Sequence, residues 1–229
     1  MQKMIRRLWR TSRQVMISPK RFFASIKKEK GIRHSFTFLT ALVLVTFVFL
    51  TYHYIEQLNN YLSIFDRWLN ISLPVEIPLN VTNYALLYII FCITFLLLTF
   101  VRYWLTHIWV RVFRGKHGYS ETYKAMSYSN TPDYISVPFL VASAIILPFA
   151  IEKNSIALIL LSVIFLVITL VLSIYQMYIK TLGLSHLQGI SKAKAFISIY
   201  ILGFATYAAA MIMLEALVIG IALAAMIIF

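Results

Sequence analysis

Residues 156–178 read IALILLSVIFLVITLVLSIYQMY and contain no charged side chain. A helix of about 20 apolar residues crosses the hydrocarbon core of a bilayer, where exposed backbone N–H and C=O groups would find no partner. This stretch therefore predicts a transmembrane helix. Only a few residues around Lys153 separate it from the preceding apolar run. Because the connection is so short, the two helices are expected to be antiparallel neighbours.

Four other stretches have the same apolar character, and together with residues 156–178 they predict an all-α integral membrane protein with five transmembrane helices. They lie at about residues 36–54, 84–103, 134–151 and 195–220. The last apolar stretch continues to Phe229, which is longer than one straight crossing requires. This helix is therefore expected either to tilt strongly or to break near Gly203 or Gly220.

The composition agrees with this reading, since 61% of the 229 residues are hydrophobic and only 13% are charged. A soluble enzyme of this size contains about 25% charged residues. The single cysteine, Cys92, excludes an intramolecular disulfide and a cysteine-based metal site. The motifs of zinc proteases, serine hydrolases, P-loop NTPases and dinucleotide-binding enzymes are all missing from the sequence. We therefore expect neither an enzyme nor a bound cofactor or metal.

The net charge of +13 is concentrated in particular loops. Residues 1–35 contain eleven Lys and Arg, whereas residues 55–83 contain only Arg67. The loops after the second span and before the fifth add Arg111, Arg114, Lys116, Lys124, Lys180, Lys192 and Lys194. Basic loops stay in the cytoplasm. The pattern predicts a multi-pass protein of the cell membrane with a cytoplasmic N-terminus and, after five spans, a C-terminus outside.

Residues 1–35 are predicted to form basic interfacial helices on the cytoplasmic face, ahead of a membrane domain at residues 36–229. Apolar residues of 1–17 share one helical face and cations surround it, which is typical of a helix at an anionic headgroup surface. The alternative is a disordered basic tail that only enforces topology. Ser18 and Pro19 then begin a second short helix. No nucleic-acid-binding domain accompanies these cations, so nucleic acid is not an expected partner.

The first outer loop carries a second amphipathic pattern. Apolar residues recur at helical spacing over residues 58–69, which predicts a helix that rests on the outer leaflet or caps the bundle. Asn70 and Asn80 begin sequences that match the glycosylation sequon in the same loop.

Two inner loops supply the candidate lipid- or partner-binding residues. Tyr119, Tyr123 and Tyr128 lie near the cation Lys124, and Lys192 and Lys194 precede the fifth span. The tyrosines either belong to an aromatic belt at headgroup depth or line an inner groove that binds lipid phosphate or another protein. The two lysines either anchor the fifth helix at the inner surface or contribute to that groove.

Ionisable residues within apolar runs are costly in lipid and usually face a partner or water. Glu215 is either solvated at the outer boundary or an intramembrane ligand for a proton or cation. Arg102 and His107, at the inner end of the second span, either extend to the surface or line a pathway. A row of small residues on the fifth span predicts a closely packed helix face, in the bundle or between two copies of the chain, with a pore lining as the alternative. These residues are Ala205, Ala208, Ala209, Ala216 and Gly220.

Three segments carry a family resemblance. Residues 115–132 read GKHGYSETYKAMSYSNTP, residues 183–195 read GLSHLQGISKAKA, and residues 18–23 read SPKRFF. In order and spacing they resemble the signature of the Yip domain family, five-span relatives of membrane proteins that interact with Rab GTPases. The resemblance covers about residues 18–215 and implies a five-helix membrane domain.

The chain departs from the eukaryotic members of that family, which place a long cytosolic segment with an acidic-aromatic motif before the first span. Here a basic segment of about 35 residues stands in that place, so the resemblance does not imply Rab binding. It points instead to the short prokaryotic members, whose role it leaves undefined.

The combined prediction is a non-enzymatic membrane protein that organises membrane or acts as an adaptor through its basic cytoplasmic face. Its expected partners are the lipid bilayer, anionic lipids, and a second copy of the chain or another membrane protein. The alternative is a permease for a small solute or ion that uses Glu215.

Overall fold

The computed structural model describes residues 2–27, 29, 31–48, 50–51 and 81–213. Over these residues the backbone is helical with short turns and contains no strand, which confirms the all-α prediction for this part of the chain. The helices are α1 Gln2–Ile17, α2 Pro19–Ile26, α3 Arg33–Val48, α4 Val81–Val112, α5 Tyr119–Ser129, α6 Thr131–Glu152, α7 Ile156–Gln188 and α8 Lys192–Met213.

Four helical stretches in the described part of the chain are long and apolar enough to cross a membrane, namely α4, α5 together with α6, α7, and α8. The apolar helix α3 is shorter. It holds the start of the first expected span, whose end lies outside the described residues. The expected helix at 58–69, Asn70, Asn80, Glu215 and the end of the fifth span also lie outside them.

The pair α6 and α7 forms the most extensive contact between helices in the described bundle. A tight turn at residues 153–155 joins them, and Ser143 Oγ lies 2.8 Å from Ser162 Oγ across their interface. Neither serine is exposed to lipid, since both are almost completely buried. The predicted antiparallel pairing of these helices is thereby confirmed.

Helices α4 and α7 continue well past the predicted ends of their spans at residues 103 and 178. Helix α7 has 33 residues, which at 1.5 Å per residue makes it about 50 Å long. Its last turns bury Ile179, Leu184 and Leu187 completely. This segment packs on protein instead of lipid. Polar residues are therefore tolerated in it, although the helix continues.

Helix α8 widens into a π-helical stretch at Ile197–Leu202 and then continues as an α-helix to Met213. Gly203 follows this stretch and is buried. A Cβ at Gly203 would lie 3.0 Å from Thr106 Oγ1, so a side chain here would crowd α4. The change of helix geometry falls where a break was expected, but the helix is continuous.

Helices α1, α2 and α5 gather where α4 and α7 end, and this end of the bundle is named the basic end. The Tyr175 hydroxyl of α7 donates a hydrogen bond to the Met16 carbonyl of α1, with 2.5 Å between the oxygens. Helix α2 packs on the last turns of α7, where the ring of Phe23 contacts Gly183. The two N-terminal helices are therefore attached to the bundle.

Candidate functional site

The basic end exposes nearly all the cationic side chains that the structure describes. Helix α1 buries Val15 and Ser12 against the bundle, while Trp9 and Ile17 are each 70% exposed. Only one exposed cation lies elsewhere among the described side chains, Lys153 at the opposite turn. The exposed cations of the basic end are Arg6, Arg7, Arg10, Arg13, Lys20, Arg21, Lys27, Arg33, Arg111, Arg114, Lys116, Lys192 and Lys194.

Helix α2 is fixed to the bundle by its aromatic residues. Pro19 stands at the first position of the helix, where its missing N–H costs no hydrogen bond. Phe22, Phe23 and Ile26 are buried, and the ring of Phe22 meets that of Tyr128 edge-on with 5.0 Å between centroids. This contact attaches the SPKRFF segment to α5.

Gln188 links the end of α7 to the loop that precedes α5. Its side-chain Nε2 donates to the Gly118 carbonyl at 3.0 Å and to Thr122 Oγ1 at 2.9 Å. Its Oε1 accepts the N–H of His117 at 3.2 Å, and its backbone carbonyl accepts the N–H of Lys116 at 3.0 Å. Two of the three segments that carried the family resemblance, residues 115–132 and 183–195, therefore meet at one buried amide.

The turn between α7 and α8 directs two lysines outward. Gly189 ends α7 in the left-handed conformation with φ of 66°, which glycine adopts without strain. Ser191 then caps α8, since its Oγ accepts the N–H of Lys194 at 3.3 Å. Lys192 and Lys194 are consequently exposed at the basic end. Both are among the residues predicted as candidates for a lipid or partner contact.

Lys124, another predicted candidate, lies inside the protein. Its side chain is 1% exposed, its Nζ lies 2.6 Å from a Glu121 carboxylate oxygen, and it donates to the Glu29 carbonyl at 2.8 Å. The ammonium thus connects α5 to the segment that follows α2. Its observed role is to hold the basic end together.

The three predicted tyrosines pack inward. Tyr123 is 1% exposed and lies edge-on to Tyr103, while Tyr128 is almost completely buried. Tyr119 is half-buried and donates to the Phe100 carbonyl at 3.2 Å. Edge-on aromatic packing of this kind stabilises an interior by about 0.5–1.5 kcal/mol per pair.

His107 belongs to the same aromatic cluster. Its Nδ1 lies 2.9 Å from Thr122 Oγ1, and its ring meets that of Tyr119 edge-on at 5.7 Å. Arg102 lies apart from it, half-buried, with its guanidinium 5.9 Å from the centre of the Tyr207 ring. The structure therefore separates the two ionisable candidates of α4.

Polar side chains form a chain of hydrogen bonds between three helices near the start of α6. Gln176 Nε2 donates to Asn130 Oδ1 at 3.1 Å and to the Asp133 carboxylate. Asn130 Nδ2 in turn donates to the Tyr103 hydroxyl at 2.5 Å. Because Gln176 and Asn130 are buried, these bonds satisfy polar groups that would otherwise be costly inside a membrane domain.

A cavity of about 280 Å³ adjoins this network, between helices α3, α4, α6, α7 and α8. Its polar wall contains Arg102, Asp133 and Lys180, which are close enough to interact electrostatically. Lys180 is only 3% exposed. Three ionisable side chains thus face one cavity between the helices.

Sequence reasoning singled out Arg102 but missed Asp133, Gln176 and Lys180. Lys180 was assigned to a loop, because hydropathy falls after Tyr178 although the helix continues. One signal was available, since Gln176 and Lys180 are four residues apart and so share a helix face.

No group of three His, Cys, Asp or Glu side chains is placed to hold a metal ion in the described ranges. Cys92, the single thiol, is buried. Among the residues that the structure describes, the cationic surface at the basic end and the polar-lined cavity between the helices are therefore candidate binding sites.

Comparison with known proteins adds one match. A family model, the Yip1 domain, matches residues 13–214. No curated protein and no solved structure matches the chain. The match covers the end of α1, all of α2, the Gln188 link and the membrane-crossing helices described above. The chain therefore belongs to the Yip1 domain family and is a multi-pass membrane protein.

Proposed function

We propose that this protein is a non-enzymatic membrane-organising protein or adaptor that works through the basic end. The observation that carries the proposal is the concentration of exposed cations on helices attached to the bundle. An anionic lipid leaflet attracts each nearby Lys or Arg by about 1 kcal/mol. Several cations on one fixed surface would therefore gather acidic headgroups, or an acidic protein, beside the bundle.

The proposal includes an orientation. Residues 1–35 form the interfacial helices, residues 36–229 form the five-helix membrane domain, and α3 continues as the first span to about residue 54. The basic end then faces the cytoplasm, the C-terminus lies outside, and the membrane is the cell membrane. Among the described side chains, exposed cations concentrate at one end and only Lys153 is exposed at the other, which supports this orientation through the preference of basic loops for the cytoplasm.

The attachment of α1 and α2 supports surface binding in a second way. A free amphipathic segment must lose conformational entropy when it binds, whereas a segment already ordered on the bundle does not. Trp9 is 70% exposed at the edge of the cationic face of α1, and indole rings favour the membrane interface. Lys192 and Lys194 extend the same surface, while Tyr119, Tyr123, Lys124 and Tyr128 support it from within.

The test measures which lipids surround the protein. The wild type and an Arg6→Gln, Arg10→Gln, Arg13→Gln variant are extracted from membranes in polymer-bounded nanodiscs, and the fraction of anionic lipid in each is compared with the bulk membrane. Lys153→Gln is the matched control, because it removes an exposed cation far from the basic end. We expect enrichment in the wild type and the control, and its loss in the triple variant. A wild type without enrichment that also co-purifies no acidic membrane partner would refute the proposal.

The small-residue face of α8 supports a contact within the membrane as well. Ala205 and Ala209 are exposed, one turn apart. Small residues at this spacing let helix backbones approach closely in lipid. We therefore propose this face as the contact with a second copy or another membrane protein, testable by cysteine cross-linking at Ala209 in native membranes.

A second candidate function is a permease for a small solute or ion. The intramembrane cavity lined by Arg102 favours it, and Glu215, outside the described residues, remains its proposed carboxylate ligand. Flux into proteoliposomes that falls on Glu215→Ala and on Arg102→Gln would support a permease. Flux that neither substitution changes would rule out this permease mechanism.

A further inference from the structure

Lys180 is a buried cation without a close partner. Its side chain is 3% exposed, and no hydrogen bond or close ion pair reaches its ammonium from the residues the structure describes. A buried charge is costly unless it is paired. The nearest carboxylate, that of Asp133, already accepts a hydrogen bond from Gln176. The ammonium lines the cavity, so a ligand in the cavity could complete its pairing.

The same cavity wall carries a second cation and a free phenol. The Arg102 guanidinium lines the cavity and makes only a ring contact, with Tyr207, among the described side chains. The Tyr134 hydroxyl is buried and has no hydrogen-bond partner in the described structure. Two basic side chains against one carboxyl group favour an anion in the cavity.

The cavity is polar at one end and apolar at the other. Arg102, Asp133 and Lys180 lie toward the basic end. Helix α4 runs from the opposite turn toward the basic end, and α3 and α6 run away from it. The lining residues on the opposite side of the charges are apolar, namely Phe47, Leu50, Phe95, Leu98 and Val137.

We infer that this cavity binds a phosphate-type oxyanion, through the Lys180 ammonium and the Arg102 guanidinium. Lys and Arg are the side chains that pair most strongly with phosphate oxygens. The phosphate belongs either to a phospholipid headgroup, whose chain enters the apolar part, or to inorganic phosphate. This site lies inside the bundle and is separate from the exposed cations on which the proposed function rests.

The test uses the full-length protein in an uncharged detergent. Native mass spectrometry measures whether a phospholipid stays bound through delipidation, and the delipidated protein is titrated with inorganic phosphate while its thermal unfolding is followed. The variants are Lys180→Met and Arg102→Met. Lys153→Met is the control, because it removes the same charge from an exposed turn.

We expect one retained phosphate-bearing adduct in the wild type and in Lys153→Met. Binding in Lys180→Met should fall by about tenfold or more, since the variant lacks the charged donor that pairs with the phosphate oxygens. A retained phospholipid without a phosphate-induced shift identifies the lipid as the source, and a saturable shift with inorganic phosphate identifies the free anion. No binding of either kind to the wild type, or unchanged binding in Lys180→Met, would overturn the inference.

A further variant is expected to bind more tightly than the wild type, which a protein that fails to fold could not do. Asp133→Asn removes the opposing negative charge but keeps an oxygen that accepts the Gln176 hydrogen bond. We expect it to bind the anion more tightly than the wild type, and weaker or equal binding would count against an anion site. Retention of the adduct in the Arg6→Gln, Arg10→Gln, Arg13→Gln variant would separate this site from the surface, whatever that variant does to lipid enrichment.

Discussion

The ring of Phe23 lies so close to Gly183 that a Cβ on that glycine would come within 2.6 Å of Cζ and within 2.9 Å of two further ring carbons. Phe23 itself is fully buried. The contact joins α2, near the start of the chain, to the last turns of α7. Glycine at this position is therefore required by the neighbouring ring, not by backbone conformation.

Gly183→Ala should destabilise the attachment of α2. Overpacking a filled interior costs about 1–3 kcal/mol, which offsets the gain of about 1 kcal/mol that alanine brings to a helix. We expect a lower unfolding temperature in detergent and faster proteolysis between α2 and α3. Gly118→Ala is the control, since no atom lies within 4 Å of its Cβ position. Unchanged proteolysis in Gly183→Ala would contradict the packing. Adding Phe23→Leu should restore stability to the alanine variant, because leucine is smaller than phenylalanine and leaves room for the new methyl group.

Gln188→Met should loosen the loop before α5 without emptying the space. Methionine has a similar size but cannot replace the three side-chain hydrogen bonds to His117, Gly118 and Thr122. Leaving buried partners unsatisfied costs about 1–3 kcal/mol. Hydrogen exchange of residues 115–122 should accelerate in this variant. Gln14→Met, at an exposed position, is the control. Equal hydrogen-exchange protection of residues 115–122 in both variants would show that Gln188 does not stabilise this loop.

The Lys124 and Glu121 side chains should show strong energetic coupling. Breaking a buried ion pair by removing one partner costs about 3–5 kcal/mol, whereas removing both costs less. Lys124→Met should therefore be more destabilising than the double variant with Glu121→Gln, measured by equilibrium unfolding in a double-mutant cycle. Glu121 is 15% exposed, so the lower part of that range is expected. Strictly additive effects would show that the pair contributes no coupling.

Cysteine labelling should place the two ends of the bundle on opposite sides of the membrane. Lys116 and Lys153 are both exposed, and the native Cys92 is buried and should remain unlabelled. In intact cells an impermeant maleimide should label Lys153→Cys and Asn60→Cys but label Lys116→Cys only after permeabilisation. Labelling of Lys116→Cys and Lys153→Cys from the same side would exclude the proposed topology.

Hydropathy predicted the described membrane helices well because lipid imposes a simple rule on side chains. Residues 156–178 must be apolar along their whole length, and the helix begins at Ile156 as expected. Its end at Gln188 was missed, because beyond residue 178 the helix packs on α2 and α5 and no longer needs to be apolar all round. The rule that predicts a span therefore gives no information on where the helix ends.

The candidate site was harder to predict because its members are polar residues distributed over several helices. Asp133 and Lys180 are distant in sequence, and only the packing of α6 on α7 brings them to one cavity. Conversely, Tyr123 and Lys124 have the residue types of a surface site but lie in the interior. Which side chains are paired inside depends on helix register, and the hydropathy pattern does not reveal the register.

The π-helical stretch at Ile197–Leu202 also affects how sequences of this family are to be aligned. A π-turn accommodates one residue more than an α-turn. A relative that lacks one residue here would continue as an ordinary α-helix and would still present the same faces beyond Gly203. Single-residue gaps in this short segment are therefore the ones that evolution can tolerate most easily within α8, whereas a gap just after Gly203 would rotate Ala205 and Ala209 to another side of the helix.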